Sequence, residues 1–192
     1  MNIGVDIGHP GHVHFFKNII WRLKNKGHEV SVFLRPKDVA ENLLNHYNID
    51  YIVVGHHKKG ILRKMLHAIA IEKRMAMEIK NRRIDVVVGE SEYTALSTLL
   101  TGTRSVVFCN NEHAMLENML KMPATVYCIS HSYDRPIIRR GKYRVYQGYF
   151  FGAYLHPKYF TPNLTVLRHL GVKKDDKFAV MRLVEWTAAH DV

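Results

Sequence analysis

Short runs rich in β-branched residues alternate along this chain with longer segments whose apolar positions recur every three to four residues. That alternation predicts a parallel sheet covered by helices on both faces. The predicted strands are residues 3–7, 29–34, 51–54, 85–89, 105–109 and 125–129. Their apolar continuity indicates burial on both sides. Between the first two strands, Phe16, Ile19, Ile20 and Leu23 mark one face of a helix that ends near Gly27. Arg35 and Pro36 read as the start of a second helix, packed through Val39, Leu43 and Leu44. Residues 60–83 read as a long helix with Leu62, Met65, Leu66, Ile69, Ala76 and Ile79 on its packed face and Lys and Arg on the other. Shorter helices are expected over 93–101 and 112–121.

The texture changes after residue 129. Arg135, Arg139, Arg140, Lys142, Arg144 and a run of tyrosines and phenylalanines form a basic, aromatic tract, read as a surface for a second domain or for anionic lipid headgroups. Prolines 157 and 162 punctuate a linker-like passage. A short helix over 164–170 then leads to residues 177–184, which read as a further strand. A buried parallel strand needs neighbours and crossover helices, and few residues follow it. The expected organisation is one Rossmann-like domain over residues 1–160. Residues 161–192 are then a linker and the first strand of an incomplete second domain, so that the chain is truncated and lacks a carboxy-terminal partner domain.

Charge narrows the partners. The 192 residues carry 28 Lys and Arg against 17 Asp and Glu, a formal net charge of +11, which favours anionic ligands. Two cysteines, each closing an apolar run, suit reduced thiols in a cytoplasmic protein better than a disulfide framework. No apolar run reaches the ~18 residues that span a bilayer, so the expected location is the cytoplasm, with peripheral contact between the basic surface and a membrane left open. The tract 135–154 carries no recognised nucleic-acid module signature, and nucleic acid is not the expected partner.

Three polar loops follow strands and, in a parallel sheet, open on one edge. In the first, Gly8, His9, Gly11 and His12 lead from an apolar strand into a helix. The glycines suit close backbone approach to a ligand, and His12 suits a general base or a phosphate donor. The alternative is a tight turn with capping histidines. Asp6, His9 and His14 have metal-ligand chemistry, but no second cluster completes a site, and neither metal nor cofactor is expected. In the second loop, Glu90 and Ser91 lie before a helix, with Ser91 or Thr94 hydrogen-bonding an acceptor or, alternatively, Ser91 capping the helix with Thr94 in its first turn. In the third, Asn110 or Asn111 caps a helix while Glu112 and His113 face the crevice, the alternative being a purely structural turn.

The segments GHPGHVHFFKN (8–18), FCNNEH (108–113), AYLHPKYFTP (153–162) and MRLVEWTAAHDV (181–192) together resemble the family known as domain of unknown function 354. The resemblance implies a two-domain protein of the GT-B glycosyltransferase type, of which this chain is the amino-terminal half. A looser similarity reaches the N-acetylglucosaminyltransferase that makes lipid II and the non-hydrolysing UDP-N-acetylglucosamine 2-epimerases. Gly11 and His12 match the Gly-His at the helix start of that transferase, although His9 and Pro10 make this loop less glycine-rich, and Asn111, Glu112 and His113 echo its later loop imperfectly. The similarity implies transfer of a nucleotide-activated sugar to an unknown acceptor held by this half, with His12 as base or acceptor contact. An epimerase of the same architecture and a non-enzymatic basic binding module are the alternatives.

Overall fold

The computed structural model describes residues 1–55, 61–111, 114–133, 143–181 and 183, the side chains of 61–65 excepted. The strands are β1 (Asn2–Ile7), β2 (Glu29–Leu34), β3 (Ile52–Val53), β4 (Val86–Gly89), β5 (Arg104–Cys109), β6 (Val126–Ser130) and β7 (Tyr143–Tyr146). The helices are α1 (Pro10–Asn25), α2 (Ala40–His46), α3 (Ile61–Asn81), α4 (Glu92–Thr101), α5 (Met115–Leu120), α6 (Gly152–Leu155) and α7 (Thr165–His169). The strands form one seven-stranded sheet in the order β3-β2-β1-β4-β5-β6-β7, and every neighbouring pair is parallel.

Side-chain alternation along the strands sorts the core into two faces. Val5, Ile7, Val32 and Leu34 pack on one face with Val13, Phe16 and Ile20 of α1 and Leu44 of α2. Phe33 and Val87 turn to the other face and meet Ile71, Met75 and Ile79 of α3. A third cluster joins Ala95 of α4 to Val107, Cys109, Tyr127 and Ile129. The order reverses about β1: the chain passes from β1 outward to β3, then crosses back through α3 to pair β4 against the other side of β1. At such a switch point the loops after the two central strands diverge to opposite faces and leave a crevice.

Several expectations change. No helix starts at Arg35 and Pro36: α2 begins at Ala40 and Val39 is exposed, because Arg35 turns into the protein interior instead of out to solvent. On α3, Leu66 and Ile69 are exposed, and the packed residues are Ile71, Met75, Ala76 and Ile79, all at or beyond the middle of the helix. The aromatic tract is not wholly surface. Its Tyr143–Tyr146 stretch pairs with β6 as a seventh strand, and Phe150 and Ala153 pack against the first core cluster. Arg135, Arg139, Arg140 and Lys142 lie outside the described residues. The described residues of 177–184 form no strand, and Val180 is 86% exposed. Cys109 and Cys128 are unbridged. No helix among the described residues is long and apolar enough to cross a membrane.

Phe16 is fully buried and sits edge-on to Phe15 at 4.8 Å, whereas Leu66 is 68% exposed. Phe16→Ala is expected to cost about 3–5 kcal/mol in urea unfolding, while Leu66→Ala changes stability by no more than about 0.5 kcal/mol. A large loss at Leu66 would restore the packed face expected from periodicity.

Candidate functional site

The crevice is organised by a charge at the end of β1. Asp6 is fully buried, and a buried carboxylate is tolerated only where donors surround it. Arg35, 2% exposed at the end of β2, pairs with Asp6 Oδ1. Ser91 and Thr94 both donate their hydroxyls to Oδ2, Thr94 at 2.8 Å. The same guanidinium donates to Ser91 Oγ at 3.1 Å and lies over the Tyr93 ring at 4.3 Å. The cluster ties the ends of β1 and β2 to the first turn of α4.

Two glycines make room for it. A Cβ on Gly8 would lie 2.3 Å from Arg35 Nη2, and one on Gly89 would lie 2.0 Å from Thr94 Oγ1. Gly8 was expected to admit a ligand; its missing side chain instead admits Arg35. Ser91 occupies the N-cap position of α4 but makes no side-chain cap hydrogen bond, because the buried carboxylate takes its hydroxyl.

The Gly8 loop and the Glu90 loop meet at His12. His9 caps α1, its Nδ1 accepting from the Gly11 amide at 3.1 Å, with Pro10 supplying the fixed φ of the first turn. One turn on, His12 Nδ1 accepts from the Gly8 amide at 3.3 Å. A lone pair at Nδ1 places the imidazole proton on Nε2, and Nε2 lies 3.4 Å from Glu90 Oε2. The contact is within ion-pair range, but that oxygen is buried and has no aligned hydrogen bond.

Burial sets the protonation of this pair. Desolvation, opposed by Asp6, pushes the His12 pKa down to about 3. Desolvation also pushes Glu90 up to about 7, against the pull of Lys121. Lys121, just past α5, is itself buried and its charge acts on both groups. On the α3 side of the Asp6 cluster, Glu72 is raised to about 8, first by burial and then by the Asp6 charge, and its Oε2 is buried without a partner.

Of the expected site residues, Gly8, His9, Gly11, His12, Glu90 and Ser91 come together at the β1/β4 crevice. Asn111 follows β5, where its carbonyl accepts from Asn118 Nδ2 at 2.8 Å. Glu112 and His113 lie outside the described residues, and α5 starts later than expected, at Met115. Asp6, His9 and His14 do not gather as metal ligands: Asp6 is engaged by Arg35, Ser91 and Thr94, and His14 lies beside Tyr47 and Tyr154. Among the described residues no group of three or more His, Cys, Asp or Glu is assembled for an ion. Sequence reading missed Arg35, Tyr93, Glu72 and Lys121 as parts of the site. An arginine immediately after a buried strand, opposite an aspartate near the end of its neighbour, was the available signal.

The sheet and its switch-point crevice define a Rossmann-like α/β domain of the GT-B class. MurG from Acinetobacter baumannii superposes with a TM-score of 0.59 at 20% identity, over 77% of this chain and 45% of that one. UDP-GlcNAc 2-epimerase from Neisseria meningitidis, bound to UDP-GlcNAc, gives 0.57 at 10% identity, over 67% and 40%. A UDP-N-acetylglucosamine 2-epimerase homologue from Listeria monocytogenes gives 0.54 at 10% identity, over 67% and 38%. The chain thus spans less than half the length of each. It belongs to the family described as protein of unknown function DUF354, whose model matches residues 1–189. No curated protein matches its sequence.

Two outcomes are expected. Asp6→Ala leaves Arg35 buried and unpaired, and should cost about 3–5 kcal/mol in chemical denaturation; combined with Arg35→Met, part of that loss should return. Glu72 has a folded pKa above its ordinary 4.5. Between those two values the folded chain holds a proton that the unfolded chain releases, so its contribution to stability is present below about pH 4.5 and falls as pH rises toward 8. Glu72→Gln should therefore raise Tm at pH 8, by on the order of 2–4 °C for a gain near 1 kcal/mol, with little change at pH 4.5.

Proposed function

We propose that this chain is the acceptor-side half of a GT-B enzyme that handles a nucleotide-activated sugar and transfers it to an acceptor hydroxyl. The observation that carries the reading is the His12–Glu90 pair at the switch point, a neutral imidazole against a carboxyl whose pKa is moved to about 7. General-base catalysis is most effective when the base titrates near the working pH. In this reading Glu90 takes the proton-accepting role expected of His12. The imidazole, whose Nε2 stands 3.4 Å from Glu90 Oε2, has no free lone pair of its own while Gly8 occupies Nδ1.

The acceptor O–H bond breaks toward Glu90 as its oxygen attacks the anomeric carbon, and the bond from that carbon to the diphosphate breaks with the electron pair leaving on the phosphate. Positive groups beside the departing oxygens stabilise that charge. The formal charge of +11 favours such an anionic donor. In the proposal most of the diphosphate site belongs to a carboxy-terminal half, so residues 1–192 alone bind acceptor and turn over little.

The test uses protein expressed from the whole reading frame containing residues 1–192, incubated with UDP-, dTDP- and GDP-sugars with and without a cell-envelope extract as acceptor source. Nucleotide release that depends on the extract is the expected result. Isomerised sugar nucleotide without acceptor would instead establish the epimerase, and salt-sensitive nucleic-acid binding without turnover the binding module. Transfer should rise with pH through about 7 as Glu90 ionises. Glu90→Gln should lower it about 10²- to 10⁴-fold and remove that limb, whereas His12→Asn, which keeps a donor, should weaken it less and shift the limb.

A further inference from the structure

Helix α5 is turned inside out. Of its 6 residues the buried one is polar, Asn118 at 2% exposed, whereas Met115, Leu116, Met119 and Leu120 all face outward, Leu116 at 71%. Asn118 fixes that orientation. Its Oδ1 accepts from the Cys109 thiol at 3.0 Å, its Nδ2 donates to the Asn111 carbonyl at 2.8 Å, and its own carbonyl accepts from the Tyr127 hydroxyl at 2.9 Å. Rotating the helix to bury its methionines and leucines would break these bonds and leave buried polar groups unpaired.

The apolar surface continues beyond α5. Helix α4 packs against both α3 and α5, and its last turn exposes Leu99 and Leu100. Leu100 in turn shares an open groove with Lys73, Ala76, Met77 and Lys80 of α3. On the opposite side of the sheet, α1 and α2 expose a single large apolar side chain, Trp21. An apolar surface confined to one helix layer marks contact with something other than water.

Charge identifies what that layer meets. Between residues 66 and 122, the exposed basic side chains among the described residues are Lys73, Arg74, Lys80, Arg82, Arg83 and Arg104, against Asp85 and Glu117. Asp85 is engaged by the Asn2 amide at 2.8 Å, and Arg74 and Arg82 pair with Glu78. A second copy docked through the same face would bring the remaining cations together across a twofold axis. The chain itself continues from the other layer, since α6 is held to α1 by Asn18 and Phe15. A bilayer with anionic headgroups matches both parts of the surface: its acyl region accepts leucine and methionine while its phosphates meet the lysines and arginines around them.

We propose that the outer face of α3, α4 and α5 docks this protein on an anionic lipid surface, with the exposed side of α5 seated in the headgroup layer.

The test is sedimentation with phosphatidylcholine vesicles, with and without phosphatidylglycerol, of protein expressed from the whole reading frame containing residues 1–192. Binding is expected only where phosphatidylglycerol is present, and it should weaken as salt is raised. Leu116→Glu combined with Met119→Glu should weaken it more than about 10-fold, and Lys73→Gln combined with Lys80→Gln about 10- to 30-fold. All four side chains are exposed, so the urea midpoint should not move; Leu99→Glu repeats the apolar test on α4 should the α5 variant unfold. Lys24→Gln with Lys26→Gln removes the same charge from the exposed end of α1 and should leave binding unchanged. Absence of binding to anionic vesicles, equal binding to neutral ones, or a loss from the Lys24 and Lys26 variant as large as that from Lys73 and Lys80 would each overturn the proposal. A concentration-dependent dimer that Leu116→Glu disperses, without vesicle binding, would assign the face to a second copy instead.

Discussion

A buried carboxylate needs donors, and meeting that need at Asp6 organises the functional end of this domain. The side chain is delivered into the interior by β1, where water cannot solvate it, so the cost of desolvation has to be offset by neighbours. Arg35 comes from β2, Ser91 and Thr94 from the start of α4, and Tyr93 lies under the guanidinium. Elements far apart in sequence are thus held together where the strand order reverses. Gly8 and Gly89 are the steric condition for this arrangement, since either would collide with it if it carried a side chain.

The acid-base properties of the crevice follow from the same burial. His12 and Glu90 sit beside the cluster with little water around them, and desolvation moves the two groups in opposite directions, the imidazole toward neutrality and the carboxyl toward protonation. Their ordinary order is inverted: the carboxyl becomes the group that titrates near neutral pH. A sequence in which histidines crowd a glycine loop directs attention to the imidazole, and geometry transfers the titration to its partner.

The sheet was legible because parallel strands buried on both faces leave long apolar runs, and six of the seven strands appear where those runs lie. The seventh was hidden by its composition. Tyr143, Arg144, Val145 and Tyr146 alternate on an edge strand with partial exposure, and read as part of a basic, aromatic surface. The first loop was legible through His9, Pro10 and Gly11. Arg35 was not, because beside a proline it resembles a turn and its inward direction depends on Asp6, which is 29 residues away. The exposed Leu66 and Ile69 show the complementary error: helical periodicity identifies a stripe without revealing which of its turns meet the core.

The grip between α1 and α6 has a mechanical consequence. Asn18 holds the Ala153 carbonyl, and Phe15 lies flat against Phe150, so the polypeptide leaving Leu155 is fastened to the rod whose first turn bears His12. A pull on the segment beyond Leu155 is therefore borne by the same rod that carries His12, not by the sheet alone.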